Sequence, residues 1–217
     1  MIKLVVFDCD GTLVDSQAAI CRAMDAAFAA AGLPAPDRAA VRRIVGLSLP
    51  QALLELAPDA PEDRRRHALE AYKASFRAAR SEGTLEQPLY PGMAGLLGRL
   101  HTAGRALGVA TGMSERGLRA CLARHDIRAL FTTLQTADRH PSKPHPAMLE
   151  AALFEADAAP GEAVLVGDTV FDVAMAHAAG VRAIGVAWGY HEPGELLAAG
   201  AAGIARSAEE LEEMIDA

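Results

Sequence analysis

The sequence predicts an α/β protein with a doubly wound, Rossmann-like parallel-sheet core and an inserted α-helical cap. Three observations support this. Residues 2–7 form a β-branched and aromatic run that ends at an Asp and Gly cluster, as a buried strand does. Residues 16–82 show helical periodicity broken by glycine and proline, and short apolar runs then alternate with helical stretches.

The later alternation indicates the sheet. Candidate strands lie at residues 106–110, 130–133, 163–166 and 183–186, with helical stretches between them. Strands that alternate with helices form parallel sheets with right-handed crossovers. We therefore assign residues 1–15 and 87–217 to the catalytic core and residues 16–86 to a cap of about four helices.

Composition narrows the class of protein. The 217 residues are 51% hydrophobic and carry a formal charge of −7, so we expect no nucleic-acid partner. The three cysteines include no CxxC pair, which favours a reducing compartment. We expect no signal peptide, no membrane partner and a cytoplasmic location. None of the seven histidines has the spacing of a metal ligand, and we assign them no role.

Reactive residues follow the predicted strands. Asp8, Thr111 and Asp168 each come directly after a strand or within two residues of its end. Ligands of open parallel sheets bind beyond the carboxyl ends of the strands, so these residues should meet in one crevice. Asp8, Asp10 and Asp168 would repel one another there without a cation. Magnesium suits a site with few carboxylates and a substrate phosphate.

Four segments together resemble the motifs of the haloacid dehalogenase superfamily, in its phosphatase branch. They read DCDGTLVDS at 8–16, VATG at 109–112, SKP at 142–144 and GDTVFD at 167–172. Each is weak alone, since an Asp and Gly turn after a strand is common. Their order along nearly the whole chain makes the resemblance specific.

The resemblance implies a phosphatase that passes through a phospho-aspartyl intermediate. Asp8 would be the nucleophile, and Asp10 would protonate the leaving oxygen and then activate water. Thr111, Gly112 and Lys143 would hold the phosphoryl group and compensate its charge.

The remaining roles concern the first loop and the metal. Thr12 is assigned to phosphate binding, and the Cys9 amide could face the phosphate, although a small buried filler is the simpler interpretation of Cys9. Mg²⁺ would be held by Asp8, by Asp10 through its carbonyl and by Asp168. Asp172 would act behind them, through water or Lys143.

The region of residues 16–86 resembles the cap of the phosphoglycolate phosphatase and β-phosphoglucomutase group. The expected partner is a small phosphorylated metabolite, and the chain would be a monomer or homodimer. A phosphomutase and a non-enzymatic phospho-aspartate receiver stay open as alternatives. Thr12 after Gly11 favours the phosphatase over the mutase, and the large insertion after the first strand speaks against a receiver.

Overall fold

The computed structural model describes residues 1–217 and contains one six-stranded parallel sheet. The strand order is β3-β2-β1-β4-β5-β6, which is the doubly wound order. The strands are β1 (Leu4–Phe7), β2 (Ala106–Thr111), β3 (Thr133–Thr136), β4 (Ala163–Gly167), β5 (Arg182–Val186) and β6 (Ile204–Ala205). The predicted fold class is confirmed.

Ten α-helices complete the chain. Four lie between β1 and the rest of the core, which agrees with the predicted number: α1 (Gln17–Ala30), α2 (Arg38–Arg43), α3 (Leu49–Leu56) and α4 (Glu62–Ser81). The others are α5 (Met93–Thr102), α6 (Glu115–Arg124), α7 (Ala147–Glu155), α8 (Val170–Ala178), α9 (Pro193–Ala198) and α10 (Ala208–Asp216). No helix is both long and apolar enough to cross a bilayer.

Strand β1 shows why the sheet lies at the centre. Its side chains are fully buried on both faces: Val5 and Phe7 join one hydrophobic cluster, and Leu4 and Val6 join another. This is expected of a parallel sheet that is covered by helices on both sides. Helices α1–α4 have a separate cluster around Met24.

Two details of the sheet differ from the prediction. The third strand spans Thr133–Thr136 instead of residues 130–133, because Arg128–Leu130 forms a 3₁₀ turn and pairing starts at Thr133 opposite Gly108. The two-residue strand β6 was not predicted, since it is too short to show periodicity.

Candidate active site

The strand order reverses between β1 and β4, and the candidate site lies at the carboxyl ends of these strands. Asp8 follows β1, and its backbone N–H donates to the Val166 carbonyl of β4 at 2.9 Å. Asp168 follows β4 directly. Both side chains are buried, at 1% and 0% exposure. The structure therefore brings the two predicted aspartates together at the switch point of the sheet.

Lys143 joins two of the acids. Its Nζ lies 2.9 Å from Asp8 Oδ1 and 2.6 Å from Asp172 Oδ1, and the side chain is buried. Burial lowers the pKa of Lys143, but Asp172 and Asp8 outweigh this and raise it above its ordinary value. The lysine is therefore charged and aimed at the site, as the sequence predicted.

Asp172 is held rigidly behind this lysine. Its Oδ2 accepts hydrogen bonds from the Thr169 amide at 3.0 Å and the Thr169 hydroxyl at 2.7 Å, while Oδ1 accepts from Lys143. A Cβ on Gly167 would lie 2.4 Å from the Asp172 Cβ, so only glycine fits there. With both oxygens occupied, Asp172 orients Lys143.

Asp168 is fixed from two other segments. Its Oδ1 accepts from the Thr12 hydroxyl at 2.7 Å, and its Oδ2 accepts from the Tyr190 amide at 2.9 Å. Gly11 has φ +86°, and a Cβ there would lie 2.2 Å from Asp168 Oδ2. The Thr12 hydroxyl therefore points to Asp168, which makes it a support for this carboxylate in the present geometry.

The carboxylates of Asp8, Asp168 and Asp172 have oxygens within 4.8 Å of one another. Burial, followed by repulsion from Asp172, raises the pKa of Asp8 to about 7 despite the opposing effect of Lys143. Burial and the charges of Asp8 and Asp172 also raise the pKa of Asp168 well above its usual range. Three carboxylates against one ammonium leave a net charge of −2 in a buried site.

A divalent cation fits this donor set. Asp8 Oδ2 is buried and has no hydrogen-bond partner in the structure. A buried carboxylate oxygen without a partner is costly, and oxygen ligands with net negative charge are what hard divalent ions bind. The unpaired oxygen and the excess negative charge are thus satisfied by the same ion.

Asp10 lies apart from this acid cluster. Its carboxylate accepts a hydrogen bond from the Ser16 hydroxyl, which lies 3.3 Å from the Tyr190 hydroxyl. Burial raises the pKa of Asp10, while Ser16 and Lys143 oppose the change. Asp10 is thus a separate carboxyl group with an increased tendency to hold a proton.

Thr111 and Gly112 lie at the carboxyl end of β2, next to the residues of the switch point. The Thr111 side chain is buried, and its Oγ1 accepts from the Met113 amide at 3.3 Å. A Cβ on Gly112 would lie 2.3 Å from the Leu47 carbonyl oxygen, which shows how closely the loop before α3 approaches. Both residues line the same cavity as Asp8 and Asp10.

Cys9 contributes through its backbone and packs through its side chain. Its amide donates to Asp8 Oδ1 at 2.6 Å. The thiol is buried in the core and contacts Cys121, and all three cysteines are free. Of the two interpretations, the buried filler describes the side chain.

The loop after β5 supplies contacts that the sequence analysis missed. Trp188 Nε1 donates to the Thr12 carbonyl at 3.1 Å, beside the Tyr190 contacts described above. His191 Nδ1 accepts from the Val170 amide, and its Nε2 lies 3.1 Å from the Arg43 carbonyl of α2. The loop follows a parallel strand at its carboxyl end, and that position was the available signal.

A cavity of about 390 Å³ lies between helices α1–α4 and the core. Its floor holds Asp8, Asp10, Thr111 and Gly112, and its walls come from α1, α4, the loop around Leu47 and the start of α6. The volume falls in the range of ligand sites.

Comparison with known proteins agrees with this geometry. The model of the family described as "Haloacid dehalogenase-like hydrolase" matches residues 5–186. "Probable phosphatase IndB" of Dickeya dadantii is 37% identical over 92% of this chain and 87% of its own length. "Phosphoglycolate phosphatase" of Vibrio vulnificus is 32% identical over 91% of this chain and 89% of its own length.

A solved structure extends the likeness to the whole fold. It is a hydrolase from Streptococcus pneumoniae described as a haloacid dehalogenase-like family protein, 27% identical, with a TM-score of 0.85 and 98% coverage of both chains. With the four motifs gathered at one switch point and the family model matched over most of its length, the chain belongs to the haloacid dehalogenase-like hydrolases.

Proposed function

We propose that the protein is a magnesium-dependent phosphatase that hydrolyses a small phosphomonoester through a phospho-aspartyl intermediate on Asp8. The observation that carries this proposal is the buried, unpaired Asp8 Oδ2 beside a lysine and two further carboxylates. The relatives named phosphatase and phosphoglycolate phosphatase support the same reaction class.

Asp8 is suited to attack phosphorus. Its Oδ1 is held by the Cys9 amide and Lys143, which leaves Oδ2 as the free oxygen. An oriented carboxylate is an effective nucleophile when nearby cations neutralise the incoming phosphate. Lys143 supplies one positive charge, and the Thr111 hydroxyl and Gly112 amide would hold the phosphoryl oxygens.

The side chains of Asp8 and Asp168 and the carbonyl of Asp10 would hold Mg²⁺, with Asp172 acting behind them. When bound, the ion supplies positive charge to the phosphate oxygens. Thr12 and Tyr190 keep Asp168 oriented for this role.

Asp10 would move the proton. Its raised pKa favours the acid form needed to protonate the leaving oxygen, and the resulting carboxylate can then activate water. The Ser16 contact ties this carboxyl to the start of α1. We propose that residues 16–86 act as a cap over the core of residues 1–15 and 87–217, and that closure of the cap places Asp10.

The test is phosphate release from phosphoglycolate and other phosphorylated metabolites, with Mg²⁺ and with EDTA. We expect turnover with the metal, none with EDTA, and recovery when Mg²⁺ is restored. An acid-quenched reaction should carry one phosphoryl group on the peptide that contains Asp8, detected by mass spectrometry. Transfer of phosphate to a second position of a sugar, without phosphate release, would instead establish a mutase.

A further inference from the structure

One face of α4 forms a wall of the cavity above the candidate active site. Its residues recur at the spacing of a single helical face. They are Leu69, Tyr72, Lys73, Phe76, Arg77 and Arg80. The face is therefore half apolar and half cationic.

The apolar part of the wall is larger than a two-carbon leaving group needs. The Tyr72 and Phe76 rings lie together, with centroids 5.0 Å apart and planes inclined at 39°. Ile20 and Met24 of α1 face the same space, as does Leu49 of α3. With about 390 Å³ available, a small polar leaving group would leave this surface in contact with water.

The cationic part of the wall has no structural use. Arg77 and Arg80, together with Arg116 at the start of α6, make no ion pair in the structure, although all three line the cavity. Lys73 pairs only with the exposed Glu70, at 3.4 Å. This concentration of positive charge lines a cavity of a chain whose net charge is −7. Unpaired guanidinium groups at a cavity suit an anionic group of a ligand.

We propose that the leaving group of the substrate contains a ring or comparably extended apolar body and carries a second negative charge. The body packs on Tyr72 and Phe76, and the anionic group meets Arg77, Arg80 and Arg116. This inference rests on the proposed phosphatase function and defines its substrate class as larger than phosphoglycolate.

The experiment compares three phosphate esters of primary alcohols, so that the reactivity of the leaving groups stays similar. They are phosphoglycolate, benzyl phosphate and 4-carboxybenzyl phosphate, each assayed with Mg²⁺. We expect kcat/KM for benzyl phosphate to exceed that for phosphoglycolate by at least about tenfold, because the ring fills the apolar wall. The carboxylate should add about a further fivefold.

Variants assign the charge effect to the wall. In the double variant Arg77→Ala, Arg80→Ala the advantage of 4-carboxybenzyl over benzyl phosphate should disappear, while turnover of benzyl phosphate changes less than about twofold. Arg66→Ala is the matched control, since Arg66 is an exposed arginine of α4 that does not line the cavity. Its ratio should equal that of the unaltered protein.

The outcomes separate the two levels of inference. Asp8-dependent hydrolysis with phosphoglycolate as the best of the three esters would overturn the substrate class and leave the phosphatase intact. A charge advantage that survives in the double variant would overturn the role of the arginines. Failure to hydrolyse any ester, or full activity in Asp8→Asn, would overturn the proposed function and this inference with it.

Discussion

The acid cluster at the switch point and the α4 wall of the cavity are built in opposite ways. In the cluster, Lys143, Asp168 and Asp172 are almost fully buried, and each is fixed by at least two polar contacts. In the wall, Arg77 and Arg116 are exposed and have no ionic partner. The contrast indicates that the fold fixes the chemistry of the reaction, whereas the wall leaves its cations free to meet a ligand.

The sharpest test of the fixed region is Asp8→Asn. The amide keeps the size of the side chain but removes the nucleophile, so we expect kcat to fall by about 10⁴-fold or more. Phosphate release with Mg²⁺ measures this, and circular dichroism checks the fold. Residual activity above about one per cent would show that the free Asp8 oxygen is not the attacking atom.

The same substitution should stabilise the metal-free protein. Because the pKa of Asp8 is raised to about 7 in the folded state, ionising this group costs folding free energy. The cost is absent below the unfolded pKa of about 4 and complete above about pH 7. At pH 8 in EDTA, Asp8→Asn should therefore raise the free energy of unfolding by on the order of 3 kcal/mol.

Urea denaturation at a series of pH values measures this gain, which should shrink steadily as the pH falls from 7 to 4. Saturating Mg²⁺ should reduce the difference at pH 8, because the ion stabilises the unaltered protein. A gain that does not depend on pH would mean that the ionisation of Asp8 is not its source.

The contact between the two regions can be weakened at Gly112. In Gly112→Ala the new Cβ would meet the Leu47 carbonyl, a backbone atom that cannot rotate away. Overpacking of this kind costs about 2 kcal/mol, so we expect kcat/KM to fall by about 30-fold while the fold remains. Gly98→Ala is the control, since a Cβ there meets nothing within 4 Å. Unchanged activity in Gly112→Ala would mean that this loop does not lie against β2 during turnover.

The sequence was most informative where chain position and chemistry coincide. Asp8 and Asp168 follow predicted strands, and Lys143 lies in a recognisable motif, so their meeting could be predicted. The supports could not: Trp188 reaches the Thr12 carbonyl across 176 positions, and only the folded chain shows this approach. Likewise, Arg77 and Arg80 read as ordinary helix residues until α4 is placed over the site.

The smallest effect is expected at Ser142, whose hydroxyl accepts a hydrogen bond from the Ser48 amide at 2.8 Å and so joins the loop before α3 to the core. Ser142→Ala removes one hydrogen bond, and kcat/KM should fall by about threefold. Ser81→Ala is the matched control, because its hydroxyl bonds only within α4. If Ser142 and Gly112 act through the same approach of this loop, the double variant should lose little more activity than Gly112→Ala alone. Fully multiplicative losses would show that the two positions act independently, and the loop would then have no single closed position for both contacts to stabilise.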